Sequence, residues 1–221
     1  MVRKIALTLL CVAGAAFSQK KEEERIVNAT SVLKETLNRD LSPAIVSKSL
    51  CIAVFPSVKK VAIGIGSSYG RGVLVCRQNE QSTGAWRAPI MFELEQGSVG
   101  LQLGSSATDF VLTVMTKEAA EKFLSGRAKL GTDAAVAAGP AGSQASAYSP
   151  EAQVLTYSRT KGVFAGVSLS GAGVDVDKDA NKAVYGKEIS ATEILNSDTV
   201  PPAGKELVDL LNRVAPGRPR G

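Results

Sequence analysis

The 221-residue chain has no histidine, and that one absence removes several chemistries together. Ser-His-Asp and Cys-His catalysis, histidine-ligated zinc and an imidazole pH switch all need the missing ring. Aromatic residues make up only 5% of the chain, and none interleaves with the basic residues. A platform for stacking bases is therefore lacking, which argues against nucleic acid as a partner. Cysteine is sparse too: three residues, no CxxC pair, and no further ligand to complete a zinc site. No residue cluster calls for a metal or a cofactor. Catalysis would fall to carboxylate pairs or a Ser-Lys arrangement. Glu93 and Glu95 share a strand face, but a glycosidase needs carboxylates facing each other across a cleft, which no sequence pattern displays. The expectation is a protein without enzymatic activity.

What is present begins with a leader. Arg3 and Lys4 precede the apolar run Ile5 to Phe17, and small residues stand at Ala16 and Ser18, the layout of a secretory signal peptide over residues 1–18. The apolar run of about 13 residues is too short to span a bilayer. Leu10 stands before Cys11 where a lipoprotein needs a small residue. Cleavage after Ser18 and a secreted or periplasmic location are expected. Without Arg3 and Lys4, 24 basic residues face 21 acidic ones. Residues 19–212 balance at 21 against 21, because Arg213, Arg218 and Arg220 crowd the end. The formal charge of +5 thus belongs to the two termini. The body is neutral but polarised: residues 45–90 hold six basic residues and Glu80 alone as acid, while residues 171–212 hold four lysines and eight acids.

Periodicity orders the rest. Ile26, Thr30, Leu33 and Leu37 form one face of an amphipathic helix within residues 19–42, either packed on a core or offered to a membrane. Short β-branched runs at 51–56, 61–66, 72–76, 88–94 and 98–103, separated by Gly and Ser clusters, predict successive antiparallel strands. A strand over 110–115 and a helix over 116–124, capped by Thr116, follow. The small-residue stretch 128–149 reads as a strand lying close to neighbouring backbone. Strands at 154–158 and 163–169 complete the β content. Short helices are expected at 179–185 and at 191–195, the latter opened by a capping box, Ser190-x-x-Glu193. Leu207, Leu210, Leu211 and Val214 stripe a last helix. The pattern predicts a single-domain α+β fold. Its core over 43–187 is a twisted antiparallel sheet or partly closed barrel. The N-terminal helix and a helical segment over 188–214 pack on it, and a basic flexible tail occupies 215–221. Cys51 and Cys76 lie on strand-like runs; in an oxidising compartment a disulfide is expected between them, two buried thiols being the alternative.

Three motifs need weighing. The glycine-dense segment Gly64 to Gly72 places Tyr69 where a dinucleotide fingerprint needs its third glycine, and it has no GK[ST]. It reads as a tight turn or bulge, with an anion-binding loop beside Arg71 as the alternative. Asp175-x-Asp177-x-Asp179 resembles the opening of a calcium loop, but Ala180 and Gly186 stand where Gly and Glu are required. An acidic turn capping a helix is the plainer reading. Asn28-Ala29-Thr30 is a glycosylation sequon, relevant only in a eukaryotic secretory pathway.

Several segments taken in order carry a resemblance: Ala53-Val-Phe-Pro56, Gly64-x-Gly66-x-x-Tyr69-Gly70-x-Gly72, Trp86-x-Ala88-Pro89, Gly97-Ser-Val-Gly100-Leu-Gln102, Val136-Ala-Ala-Gly139-Pro140, Tyr157-Ser-Arg159-x-Lys161-Gly162-x-Phe164, and Asp179 to Gly186. Over about residues 30–187 the chain resembles the SYLF domain family, and its leader marks it as a bacterial exported member. The resemblance implies a non-enzymatic module that binds membrane lipid, phosphoinositides in eukaryotic members, with actin binding in some fungal ones. An exported chain meets neither cytosolic actin nor inner-leaflet phosphoinositides, so anionic phospholipid or glycolipid head groups are the expected partners. Lys59, Lys60, Arg71 and Arg77 are the expected contacts, joined by Arg127, Lys129, Arg159 and Lys161 if the fold brings them alongside. Each contributes about 1 kcal/mol at an anionic surface. Ile26, Leu33 and Leu37 would supply apolar contact from a helix able to leave the body. The alternative is an envelope structural or protein-interaction module without a lipid ligand.

Overall fold

The computed structural model describes residues 2–63, 65–78, 82–99, 106–140, 151–160, 163–165 and 169–217. In chain order the elements are α1 (Val2–Arg39), α2 (Pro43–Lys48), β1 (Cys51–Ile63), β2 (Ile65–Cys76), β3 (Ile90–Val99), β4 (Ser106–Val114), α3 (Lys117–Leu124), β5 (Arg127–Lys129), β6 (Val136–Ala138), β7 (Val154–Thr160), β8 (Val163–Ala165), β9 (Gly173–Val176), α4 (Lys178–Tyr185), α5 (Ala191–Asn196) and α6 (Lys205–Val214). Hydrogen bonding orders the strands β5-β9-β3-β2-β1-β4-β7-β6, with β8 paired to β7. All pairs are antiparallel except β6 with β7. The α+β class and the single curled sheet are those expected from the sequence.

Helices cover both faces of this sheet, which is why its central strands read as unbroken apolar runs. Cys51, Ala53 and Phe55 of β1 turn to one side, where they meet Phe92, Phe110, Leu112, Phe123 of α3 and Ile194 of α5. Ile52 and Val54 turn to the other, against Ile26 and Leu33 of α1, Ile45 of α2, Val184 of α4 and Leu207 and Leu211 of α6. Each fully buried large side chain stabilises the fold by roughly 1.5–3 kcal/mol. The disulfide Cys51–Cys76 is present and joins directly paired residues of β1 and β2.

Two expected strands, 51–56 and 61–66, are one strand in β1, bent where it had been read as broken. Pro56 has no N–H to give a ladder, and proline sits in sheets at edges or bulges. The register of β1 against β2 shifts between Val54 and Lys59, and against β4 between Phe55 and Val58. Ser57 adopts φ 50° there, held by its N–H donating to Asp109 Oδ1 at 2.8 Å. The glycines opposite belong to β2, not to a turn or an anion-binding loop. A Cβ on Gly72 would lie 2.1 Å from the Val54 carbonyl oxygen, and one on Gly70 2.4 Å from Val58 Cγ2.

The helices are capped as the sequence predicted: Thr116 accepts from Ala119 N–H, and Ser190 and Glu193 close their capping box. Close backbone approach in 128–149 yields β5 and β6, with Gly139 under the Tyr157 ring; residues 141–150 lie outside the described ones. Two boundaries differ. α1 runs unbroken through Ser18, so the expected leader and amphipathic helix are one helix. No described helix is long and apolar enough to cross a membrane. The expected tail begins later than 215, because Ala215 is buried and its carbonyl accepts from Arg77 and Trp86.

Candidate functional site

Beyond the bulge, β1 and β2 leave the helix-covered core and run alongside α1, and a groove of about 710 Å3 opens there. Five cations line it: Lys21 and Arg25 from α1, Lys59 from β1, Arg71 from β2 and Arg159 from β7. Glu24, Glu35 and Asp109 line it as well. How these charges pair decides what remains available to a ligand.

Two carboxylates organise the arginines. Asp177 caps α4, its Oδ1 accepting from Ala180 N–H at 3.0 Å. Its Oδ2 receives Arg25 Nη1 at 3.1 Å and Arg71 Nε at 3.3 Å. Glu22, one turn before Arg25 on α1, pairs with it too and lies 3.9 Å from Arg71. Asp109 receives Arg159 Nη2 at 2.8 Å, and Arg159 also pairs with Glu35 of α1. Arg25, Glu22 and Asp177 are buried. Removing one partner from such a buried group leaves an uncompensated charge, at a cost of about 3–5 kcal/mol. The three arginines therefore tie α1 to the sheet and to α4.

Arg71 Nε also donates to Tyr69 Oη, which donates to Glu93 Oε2, both at 3.0 Å. Burial works against the Arg71 charge, but Asp177, Tyr69 and Glu22 outweigh it and hold its pKa above the ordinary value. The Tyr69 phenol is raised by burial and by Glu93. Lys21 and Lys59 are exposed at the groove's rim.

The expected contacts are dispersed. Lys59, Arg71 and Arg159 share the groove, although both arginines are already paired. Lys60 sits opposite Ser68 and Ser106 on the next register position. Arg77 is a correction. It is fully buried, stacks 4.2 Å over Trp86, and donates to the carbonyls of Ser49, Gly84 and Ala215. Burial lowers its pKa to about 10. A guanidinium so enclosed anchors the C-terminal helix and cannot face a membrane. Arg127 and Lys129 are exposed on β5, five strands from β4 across the sheet. Arg127 lines a second groove of about 790 Å3 with Glu93, Asp175, Asp179, Glu188 and Glu193. Lys161 lies outside the described residues. Ile26 and Leu33 are also corrected: both are fully buried against the sheet, and Leu37 is half-buried beside them, so the α1 stripe is a packing face.

The calcium-like acids resolve into different roles. Asp177 serves arginines and a helix cap, Asp175 pairs in register with Arg127 and Glu93, and Asp179 is exposed. Among the described residues no His, Cys, Asp or Glu group could hold a metal ion. Lys21, Arg25, Asp109 and Glu35 were not anticipated. Lys21, Arg25 and Asn28 at i, i+4 and i+7 do mark one edge of α1, a signal that the apolar stripe overshadowed.

With that geometry in view, comparison with known proteins decides the family. The domain described as Las17-binding protein actin regulator (Ysc84) matches residues 95–214, from β3 through α6. The chain belongs to the Ysc84, or SYLF, family. An SH3 domain-containing protein of Schizosaccharomyces pombe is 30% identical over 197 residues, which is 86% of this chain and 45% of the relative. LAS seventeen-binding protein 3 of Saccharomyces cerevisiae is 32% identical over 184 residues, 80% of this chain and 39% of its own length. The human SH3 domain-containing YSC84-like protein 1 is 31% identical over 173 residues, 76% and 49% respectively. The SYLF-family chain thus spans about half or less of these relatives. No solved structure matches it.

Proposed function

We propose that the protein is an exported, non-enzymatic lipid-binding protein that docks on anionic membrane lipid through the cationic groove beside α1. One observation carries this reading. Lys21 and Lys59 stand exposed at a rim whose three arginines come from separate elements and are held in place by ion pairs. Such pre-ordering lowers the entropic cost of gripping a phosphate. Export is supported by the leader over residues 1–18 and by Cys51–Cys76, a bond at home in an oxidising compartment. With Arg77 withdrawn and Arg127 and Lys129 elsewhere, few cations remain, so weak, salt-sensitive docking is expected. Co-sedimentation with phosphatidylglycerol-containing and pure phosphatidylcholine vesicles, at low and high salt, tests it. Preference for the anionic vesicles that fades with salt is the expected result, weakened further by Lys21→Glu with Lys59→Glu. Equal binding to both vesicles at low salt would sink it.

A second reading rests on the relatives' names, which speak of binding Las17 and of regulating actin. Here the domain would hold a protein partner in the envelope. A stoichiometric partner recovered from envelope extract, with vesicles left empty, would favour that reading.

A further inference from the structure

At the far end of the β1–β2 hairpin the residue types change again. Register places Val61, Ser67 and Gly97 on one rung of the ladder, Ala62, Gly66 and Ser98 on the next, and Ile63, Ile65 and Val99 on the last. None of these nine is charged. One rung inward come Ser106, Lys60, Ser68 and Gln96, and then Ala107, Lys59, Tyr69 and Glu95. Lys59 is exposed, and Tyr69 is one of the few large apolar residues exposed anywhere, at 42%. Glu95 is the first acid met from this end, and residues 51–79 contain none.

We propose that this end of the sheet enters the boundary between head groups and acyl chains of an anionic bilayer, with Lys59, Lys60 and Tyr69 halting at the phosphates. The proposal rests on the lipid-binding reading above and adds to it an apolar, shallow insertion. The sequence of chemistries along the strands carries it. An uncharged end with Val and Ile is followed by two lysines and an exposed phenol, the order in which an anionic leaflet presents hydrocarbon, interface and phosphate. A protein partner would have no reason to demand that stratification. Depth agrees as well. Three rungs at about 3.4 Å each reach roughly 7–10 Å, the depth at which interfacial elements sit. Among the described residues β1 has no partner on its β4 side beyond Lys60. Its backbone groups there need water or head groups, which limits entry to the interface.

Ile63→Trp supplies the test, because the chain's own Trp86 is buried and stays a constant background. With phosphatidylglycerol vesicles doped with brominated phosphatidylcholine, the introduced indole should blue-shift and be quenched. Ile63→Asp with Ile65→Asp should weaken vesicle partition roughly tenfold or more, as charge below the head groups does, while the thermal midpoint stays unchanged. An unquenched indole on protein that still sediments with vesicles overturns the insertion and leaves the groove reading standing. Failure to sediment with any vesicle removes both. A vesicle-free dimer that the paired Asp substitutions abolish also overturns the proposal, by making this end a contact between two copies of the chain.

Discussion

The β1–β2 hairpin is two structures joined at Pro56–Ser57. On the near side, Cys51–Phe55 and Val73–Cys76 are buried on both faces and cross-linked by a disulfide. On the far side the same strands carry Lys59, Lys60, Ser67, Ser68, Tyr69 and Arg71, and polar or exposed positions dominate. The hydrogen-bond ladder continues through both halves, so backbone pairing is not what separates them. What differs is what lies against each face: helices on both sides of one, and the α1 groove beside the other. The near half holds the fold together, and the far half is free to meet something else.

That contrast can be broken experimentally, beginning where the effect is largest. Phe55→Ala, at the centre of the near half, should destabilise the protein by about 3–5 kcal/mol in urea denaturation; a loss below 1 kcal/mol would mean that the near half is not the packed one. Replacing both cysteines of the disulfide by alanine comes next, at roughly 3 kcal/mol, the chain-entropy value for a closed loop of this size. Denaturation with and without reductant reads it, and the substituted protein should lose its response to reductant.

Alkaline pH separates the two halves by their phenols. Tyr185, whose hydroxyl donates to the Pro89 carbonyl, and Tyr157, beside Asp40, are both raised well above the usual tyrosine value by burial. Below pH 10 they are neutral whether folded or not. Above it the unfolded chain ionises while the folded phenols do not, so stability present below pH 10 falls by about 1.4 kcal/mol per pH unit for each phenol held neutral. Arg77, lowered to about 10, contributes the opposite slope, because the unfolded chain then binds more protons. Differences between variants isolate the phenols. Tyr185→Phe should flatten the fall between pH 10 and 11 clearly, and Tyr69→Phe in the far half much less. Equal flattening would erase the distinction. Smallest of all, Lys59→Ser should leave stability within about 0.5 kcal/mol of the parent, and a larger loss would show the far half to be structural.

Much of the near half was legible in the sequence, because burial on both faces leaves an apolar run with its cysteines in place. The caps at Thr116 and Ser190 were legible for the same local reason: their partners lie three residues away. Arg77 was not. Nothing within a few residues of it shows that Ser49, Gly84 and Ala215 converge on its guanidinium, the last of them 138 residues along the chain. Asp177 was noticed for the wrong reason. Its acid-rich neighbourhood suggested a cation, and the cations are Arg25 and Arg71, which come from α1 and β2. The α1 stripe was ambiguous in principle, since a face of Ile and Leu suits a sheet and a bilayer equally; only the sheet beneath it decides. Pro56 hid the continuity of β1, because a missing N–H looks like a break until a bulge is seen to absorb it.

The place of β9 in the sheet has a consequence for the growing chain. β9 lies between β3 and β5, yet residues 173–176 are made long after residue 99. Until they emerge, β3 offers an open edge, the kind of template on which a second chain can add itself. At about 5–20 residues per second that interval lasts several seconds. A fragment ending before Gly173 would keep that edge bare for good, so synthesis from end to end is part of what keeps this chain from joining its neighbours.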